Sequence, residues 1–206
     1  MTNYNQLASP DSLRKTQEAL TKRGYDIRVV KNGKEALHEI QVRIPQGASV
    51  MNGSSVTLEQ IGYKTYLASG SHGWVDLYAK VNAEADREKR RKLRREAALS
   101  DYYLGSVHAL SQTGEFVIAS NTGSQLPHIV STSPNLIFVV STKKIVPTLD
   151  DAIKRVREYV YPLEDKHMKE KYGMGTGLNK MLIFHGEMPA SGRTITFLLV
   201  EENLGF

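Results

Sequence analysis

A chain of 206 residues, 40% hydrophobic and 24% charged, has the make-up of one globular domain, read here as residues 1–206 with 1–45 an N-terminal helix–strand–helix extension of it. It has no cysteine, which excludes disulfides, thiolate metal sites and cysteine-held iron–sulfur clusters. No run approaches the ~18 apolar residues of a membrane span, and residues 1–10 have no apolar signal core, so the expectation is a cytoplasmic protein without a membrane partner.

The net charge of +5 is local, because seven of the nine positions 87–95 are Arg or Lys. Taking those seven cations and one Glu from totals of 27 and 22 leaves 20 basic and 21 acidic residues. The run lacks the interleaved aromatics that stack on bases. It reads as a solvated helix face, and nucleic acid is not an expected partner.

In chain order, Ser9 and Pro10 open a helix that Lys22, Arg23 and Gly24 close. Residues 25–30 read as a strand. Asn32-Gly33 is a turn and 34–43 a helix with Leu37 and Ile40 on one face. Residues 48–51 form a brief strand, and 56–61 look helical. The stretch 63–78, with Gly70 and Gly73 around His72, shows no clear period. Asn82 can cap a long helix reaching Ser100. Residues 107–110 and 116–120 flank the turn Gln112-Thr113-Gly114 as a hairpin, a short helix starts near Ser124, and 136–141 is a strand. Thr148 and Asp151 cap a helix over 148–160 whose stripe is Leu149, Ile153, Val156 and Val160, with Pro162 closing it. Strands at 181–185 and 193–201 end the chain, and residues 189–192 can turn them into an antiparallel pair. Strands alternating with helices imply an α/β fold, a three-layer, mostly parallel sheet with helices on both faces.

Two segments repeat one pattern of apolar strand, small polar residues with a glycine, then helix. One carries Asn52, Gly53, Ser54 and Ser55; the other Asn121, Thr122, Gly123 and Ser124. Glycine admits a close ligand, and amides at a helix start favour phosphate or carboxylate. Either loop alone also fits an ordinary capped turn. Their likeness makes these eight residues the candidate ligand-binding set.

At these residues the sequence resembles the LUD-domain family, that of lactate utilization protein C. The stretch from Ile44-Pro45-Gln46-Gly47 through Asn52-Gly53-Ser54-Ser55-Val56 to Gly62 is similar to its opening motif. Four further stretches follow in order: 97–105, 106–124, Lys143-Lys144-Ile145-Val146 before Leu149-Asp150-Asp151-Ala152, and the ending Glu201-Glu202-Asn203-Leu204-Gly205-Phe206. The resemblance implies the fold shared by ribose-5-phosphate isomerase, glucosamine-6-phosphate deaminase and coenzyme A transferases. It also implies an accessory or ligand-binding role in lactate or organic-acid utilization beside other lactate-utilization subunits. The expected ligand is a small anion: a phosphate, a nucleotide or a hydroxy acid. The alternative is an enzyme acting on a sugar phosphate or acyl-coenzyme A.

Two departures count. Where the isomerases hold acid/base residues, this chain has Leu104, Gly105, Ser106 and Val107, none titratable. Where many short relatives have a cysteine-rich segment, it has Tyr172-Gly173-Met174-Gly175-Thr176-Gly177, read as a surface loop. A catalytic carboxylate would have to come from Glu59, Asp76, Asp101 or Glu187. The histidines at 38, 72, 108, 128, 167 and 185 show no helical zinc spacing, so no metal is expected. Tyr102 and Tyr103 read as core and rim.

Overall fold

The structure is a computed structural model and describes residues 3–206. Capping chemistry sets most helix starts. Helix α1 (Pro10–Lys22) begins where Ser9 accepts from the Ser12 amide, and after strand β1 (Asp26–Val30) helix α2 (Gly33–Arg43) begins on the Asn32 side chain. Strand β2 (Ser49–Asn52) leads into the short helices α3 (Val56–Gln60) and α4 (Tyr63–Ala68), separated at Gly62, whose φ of 81° needs glycine. Next come β3 (Val75–Asp76), α5 (Leu77–Ala83), the basic α6 (Arg87–Glu96) and β4 (Tyr102–Gly105). The hairpin β5 (Ala109–Ser111) and β6 (Phe116–Ser120) follows, then a π-turn at His128–Thr132 and the strands β7 (Asn135–Ser141) and β8 (Ile145–Val146). Helix α7 (Leu149–Arg155) runs through a π-turn at Val156–Val160 into α8 (Tyr161–Tyr172), and β9 (Lys180–Phe184) and β10 (Thr194–Val200) end the order.

Six strands make a wholly parallel sheet in the order β1-β10-β7-β4-β2-β3. Its alternating residues serve two cores. Val50, Leu104, Ile137, Val139, Leu198 and Val200 meet Ile40, Leu58 and Tyr63 of α2, α3 and α4. Met51, Tyr103, Leu136, Phe138, Phe197 and Leu199 face the other way, toward α1, α5 and a second sheet. That second sheet has the order β8-β5-β6-β9, antiparallel except for β5 and β8. Phe116 of β6 joins the two, its ring 5.4 Å from both Phe138 and Phe197 and 4.8 Å from Phe184. Beneath the second sheet, Ala152 and Val156 pack on Ala109, Val117 and Val146. Among the described residues no helix is long and apolar enough to cross a membrane.

Three expectations are corrected. The final strands do not pair: β9 extends the hairpin sheet beside β6, while β10 lies inside the parallel sheet between β1 and β7. Asn82 does not start the long helix; it lies in α5, the chain extends at Glu84, and the Asp86 carboxylate caps α6 instead. Pro162 does not end the helix before it. The π-turn lets Tyr161 donate to Val156 five residues back. That wider turn accommodates a proline, which lacks the N–H of the regular ladder, and helix resumes to Tyr172. Strand β4, which the sequence did not reveal, lies in the parallel sheet between β7 and β2.

Candidate functional site

Beyond the carboxyl ends of β2 and β6 the 52–55 and 121–124 loops face one cleft of about 420 Å³. Gly53 and Ser54 line it from one side, and Asn121, Thr122, Ser124 and Gln125 from another. The third wall is α8 and the loop after it, with Tyr161, Glu164, Met168, Tyr172 and Met174. A recess of about 60 Å³ continues beneath the first loop, bounded by Ser54, Ser55, Thr57, Ser106, His108, Lys144 and Glu164.

The eight expected residues do not contribute alike. Ser54 is exposed, and the amides of Ser54 and Ser55 donate to no partner among the described residues. The Ser55 hydroxyl is occupied as the α3 cap, accepting from the Leu58 amide at 3.2 Å. Asn52 is 2% exposed. Its Nδ2 donates to Gly53 O at 3.1 Å while its Oδ1 has no partner. A Cβ on Gly53 would stand 2.7 Å from the Tyr103 hydroxyl, so only glycine fits there.

In the second loop Gly123 donates to Ser120 Oγ at 2.9 Å and Ser124 to Thr122 Oγ1 at 3.3 Å, leaving fewer amides for a guest. Asn121 Oδ1 accepts from Asn179 Nδ2 at 2.6 Å. Gly123 turns toward Lys180 and does not line the cleft. The helix dipole behind each loop is small. Helix α3 has five residues, and helix after the second loop starts only at Leu126 and widens to the π-turn at His128.

The strongest charge at the site was not among the expected residues. Lys144, between β7 and β8, is 4% exposed. Its ammonium donates to Thr57 Oγ1 at 3.1 Å, Ser106 Oγ at 3.0 Å and Val107 O at 3.2 Å. No carboxylate pairs with it, nor with the neighbouring Lys143 and Arg155, among the described residues. Burial, then Arg155 and Lys143, hold the Lys144 pKa well below the usual lysine range. Arg155 is wholly buried, donates to His108 O, and lies against the rings of both Tyr4 and Tyr159.

His108 lies beside Lys144 on the recess. Its Nδ1 accepts from the Ala119 amide at 3.1 Å, so the neutral ring carries its proton on Nε2. Burial, then Lys144 and Arg155, push its pKa down to about 3. Opposite is Glu164, half-buried, whose carboxyl is raised by burial against the pull of His167 and Lys171. Among the described residues it is the only acidic side chain lining the cleft or recess. The four acidic residues named from sequence are engaged elsewhere. Glu59 pairs with Lys64, Asp76 caps α5, Asp101 accepts from Ser49, and Glu187 pairs with Arg193.

A family model for the LUD domain matches residues 13–178. The chain belongs to the LUD-domain family. A DUF162 family protein from Deinococcus radiodurans is similar in structure, with a TM-score of 0.56 and 12% identity over 95% of this chain and 99% of that one; this likeness concerns the fold. No curated protein matches. In this LUD domain the overlooked residues had one legible signal: Lys143 and Lys144 stand inside the apolar stretch Leu136–Val146, where a solvated lysine pair is out of place. Glu164 had none, because it lies beyond the proline read as the helix end.

Proposed function

We propose that this LUD domain binds a small phosphorylated or carboxylated ligand in the cleft between its two loops, as an accessory or ligand-binding component of lactate or related organic-acid utilization. Lys144 carries the reading. A buried ammonium whose partners are all neutral oxygens bears a desolvation cost of several kcal/mol. An anion in the recess offsets it, directly or through the Thr57 hydroxyl that accepts from Lys144 and can donate onward. The Ser54 and Ser55 amides add donors.

The test is thermal unfolding with inorganic phosphate and L-lactate. A ligand at 100 times its Kd stabilises by about 2.7 kcal/mol, and Lys144→Met should cut the gain to about 0.4–1.4 kcal/mol at the same concentration. Wild-type protein that ignores both anions, or a variant that responds equally, overturns the reading. Anion entry also favours protonated Lys144, so binding should take up protons and weaken as pH rises.

Glu164 favours a second reading, an enzyme acting on a sugar phosphate or acyl-coenzyme A. A carboxyl with a raised pKa facing a cationic recess suits general acid/base work. In that case Glu164→Gln eliminates turnover while the ligand still raises the melting temperature.

A further inference from the structure

A second polar pocket, of about 190 Å³, lies on the far side of the 52–55 loop and shares Gly53, Ser54, Tyr103 and Gln125 with the Lys144 recess. Two unpartnered, almost wholly buried polar groups belong to its lining: Asn52 Oδ1 and the Tyr103 hydroxyl, on residues 2% and 1% exposed. The Gly53 amide lies near that hydroxyl but short of hydrogen-bond geometry. Asn52 cannot turn over at no cost, because its Nδ2 is tied to Gly53 O; the oxygen is therefore held as an acceptor for an N–H or O–H donor. Buried polar groups are ordinarily paired, so two orphans on one pocket point to a guest.

The rest of the lining fits a flat guest. Tyr78 and His128 present rings, and His128 is stacked on Tyr103 at 4.6 Å between centroids. Burial pushes the His128 pKa down to about 4, which keeps that ring uncharged near neutrality. Arg94, exposed and without a carboxylate partner among the described residues, lines the mouth. It gives one member of the otherwise solvated basic run a place at the site.

We propose that this pocket is a second subsite of the same cleft and that the ligand is a nucleotide, with its phosphate in the Lys144 recess and its base against Asn52 and Tyr103. This deepens the anion reading above and rests on it for the phosphate end. A three-carbon hydroxy acid does not explain the two orphans. The recess of 60 Å³ already has room for about four waters, enough for a small anionic head alone. A base brings N–H donors for Asn52 and a π face for the rings.

The experiment is titration calorimetry on the full chain with ribonucleoside 5′-monophosphates, ribose 5-phosphate, inorganic phosphate and uncharged nucleosides. At least one nucleotide should bind tenfold or more tightly than ribose 5-phosphate. Tyr103→Phe and Asn52→Leu should bring the two within about threefold. Tyr103→Phe removes only an unpaired hydroxyl, so its melting temperature should not fall, and it remains decisive if Asn52→Leu does not fold. Nucleotides no tighter than ribose 5-phosphate, or tight nucleotides indifferent to Tyr103→Phe, overturn the subsite. With phosphate still bound through Lys144, that result leaves the anion reading standing. Nucleosides that bind as tightly as nucleotides and lose affinity in Tyr103→Phe uphold the pocket and overturn the Lys144 reading instead.

Discussion

The 52–55 and 121–124 loops share one sequence pattern and sit in different surroundings. The first leaves β2 inside the parallel sheet, close to the ends of β4 and β7, and a buried cation from the chain after β7 lies beneath it. The second leaves β6 in the smaller antiparallel sheet and ties two of its own amides and its asparagine to neighbouring polar groups. A glycine and small polar residues after a strand thus describe a turn; what lies under the turn determines whether its amides have anything to do. The difference leaves the first loop with free amides over a buried cation and the second as a self-satisfied wall of the cleft.

Acid should have the largest effect, because it attacks the His108 contact that anchors the strand leading into the second loop. His108 accepts from Ala119 on β6 through an unprotonated Nδ1. Its pKa is about 3, below the ordinary 6.5, so between those values the unfolded chain binds more protons and stability falls as pH drops. His128, at about 4, acts in the same sense above its own value. Each contributes up to about 1.4 kcal/mol per pH unit. Denaturant unfolding at stepped pH checks this, and a flat profile from 6.5 to 4 sinks it.

Lys144→Met comes next. Losing one charge-assisted contact of about 1.5–3 kcal/mol should weaken anion binding roughly 10- to 100-fold, while the melting temperature without ligand holds or rises because a buried charge is gone. A drop in that temperature would mean the ammonium is a structural tie.

The two glycines separate the loops directly. Gly53→Ala sets a Cβ 2.7 Å from the oxygen of a rigid buried tyrosine, which should cost about 1–3 kcal/mol and lower affinity. Gly123→Ala is strained by its φ of 83°, about 1–3 kcal/mol, but the side chain it meets is the flexible Lys180. Affinity should stay within about threefold. Equal losses of affinity in both variants would restore the symmetry of the sequence pattern and break the comparison. Smallest of all, Glu164→Gln should strengthen anion binding a few-fold at high pH, where the carboxylate is charged, and hardly change it at low pH, as calorimetry at the two pH values would read.

Most of the fold was legible because local chemistry determined it. Ser9 and Thr148 cap the helices expected of them, and the apolar runs at 136–141 and 194–200 became central strands buried on both faces. Errors arose where a local rule met a nonlocal solution. Proline reads as a stop, yet a π-turn carries α7 into α8, and that continuation is what sets Glu164 and Tyr172 over the cleft. Residues 189–192 read as a hairpin turn, yet hydrogen bonding to β6 and β7 drew the flanking strands into separate sheets.

The sequence by itself determined the family, the α/β alternation, the absence of cysteine chemistry and the positions of the two loops, because composition, caps and periodicity act over a few residues. Only the tertiary structure decided which charges the loops confront. Lys144, His108 and Glu164 lie far apart along the chain and share no spacing, and their altered proton affinities arise first from burial and, for His108 and Lys144, also from the cations packed beside them, which exist only once the sheets have packed.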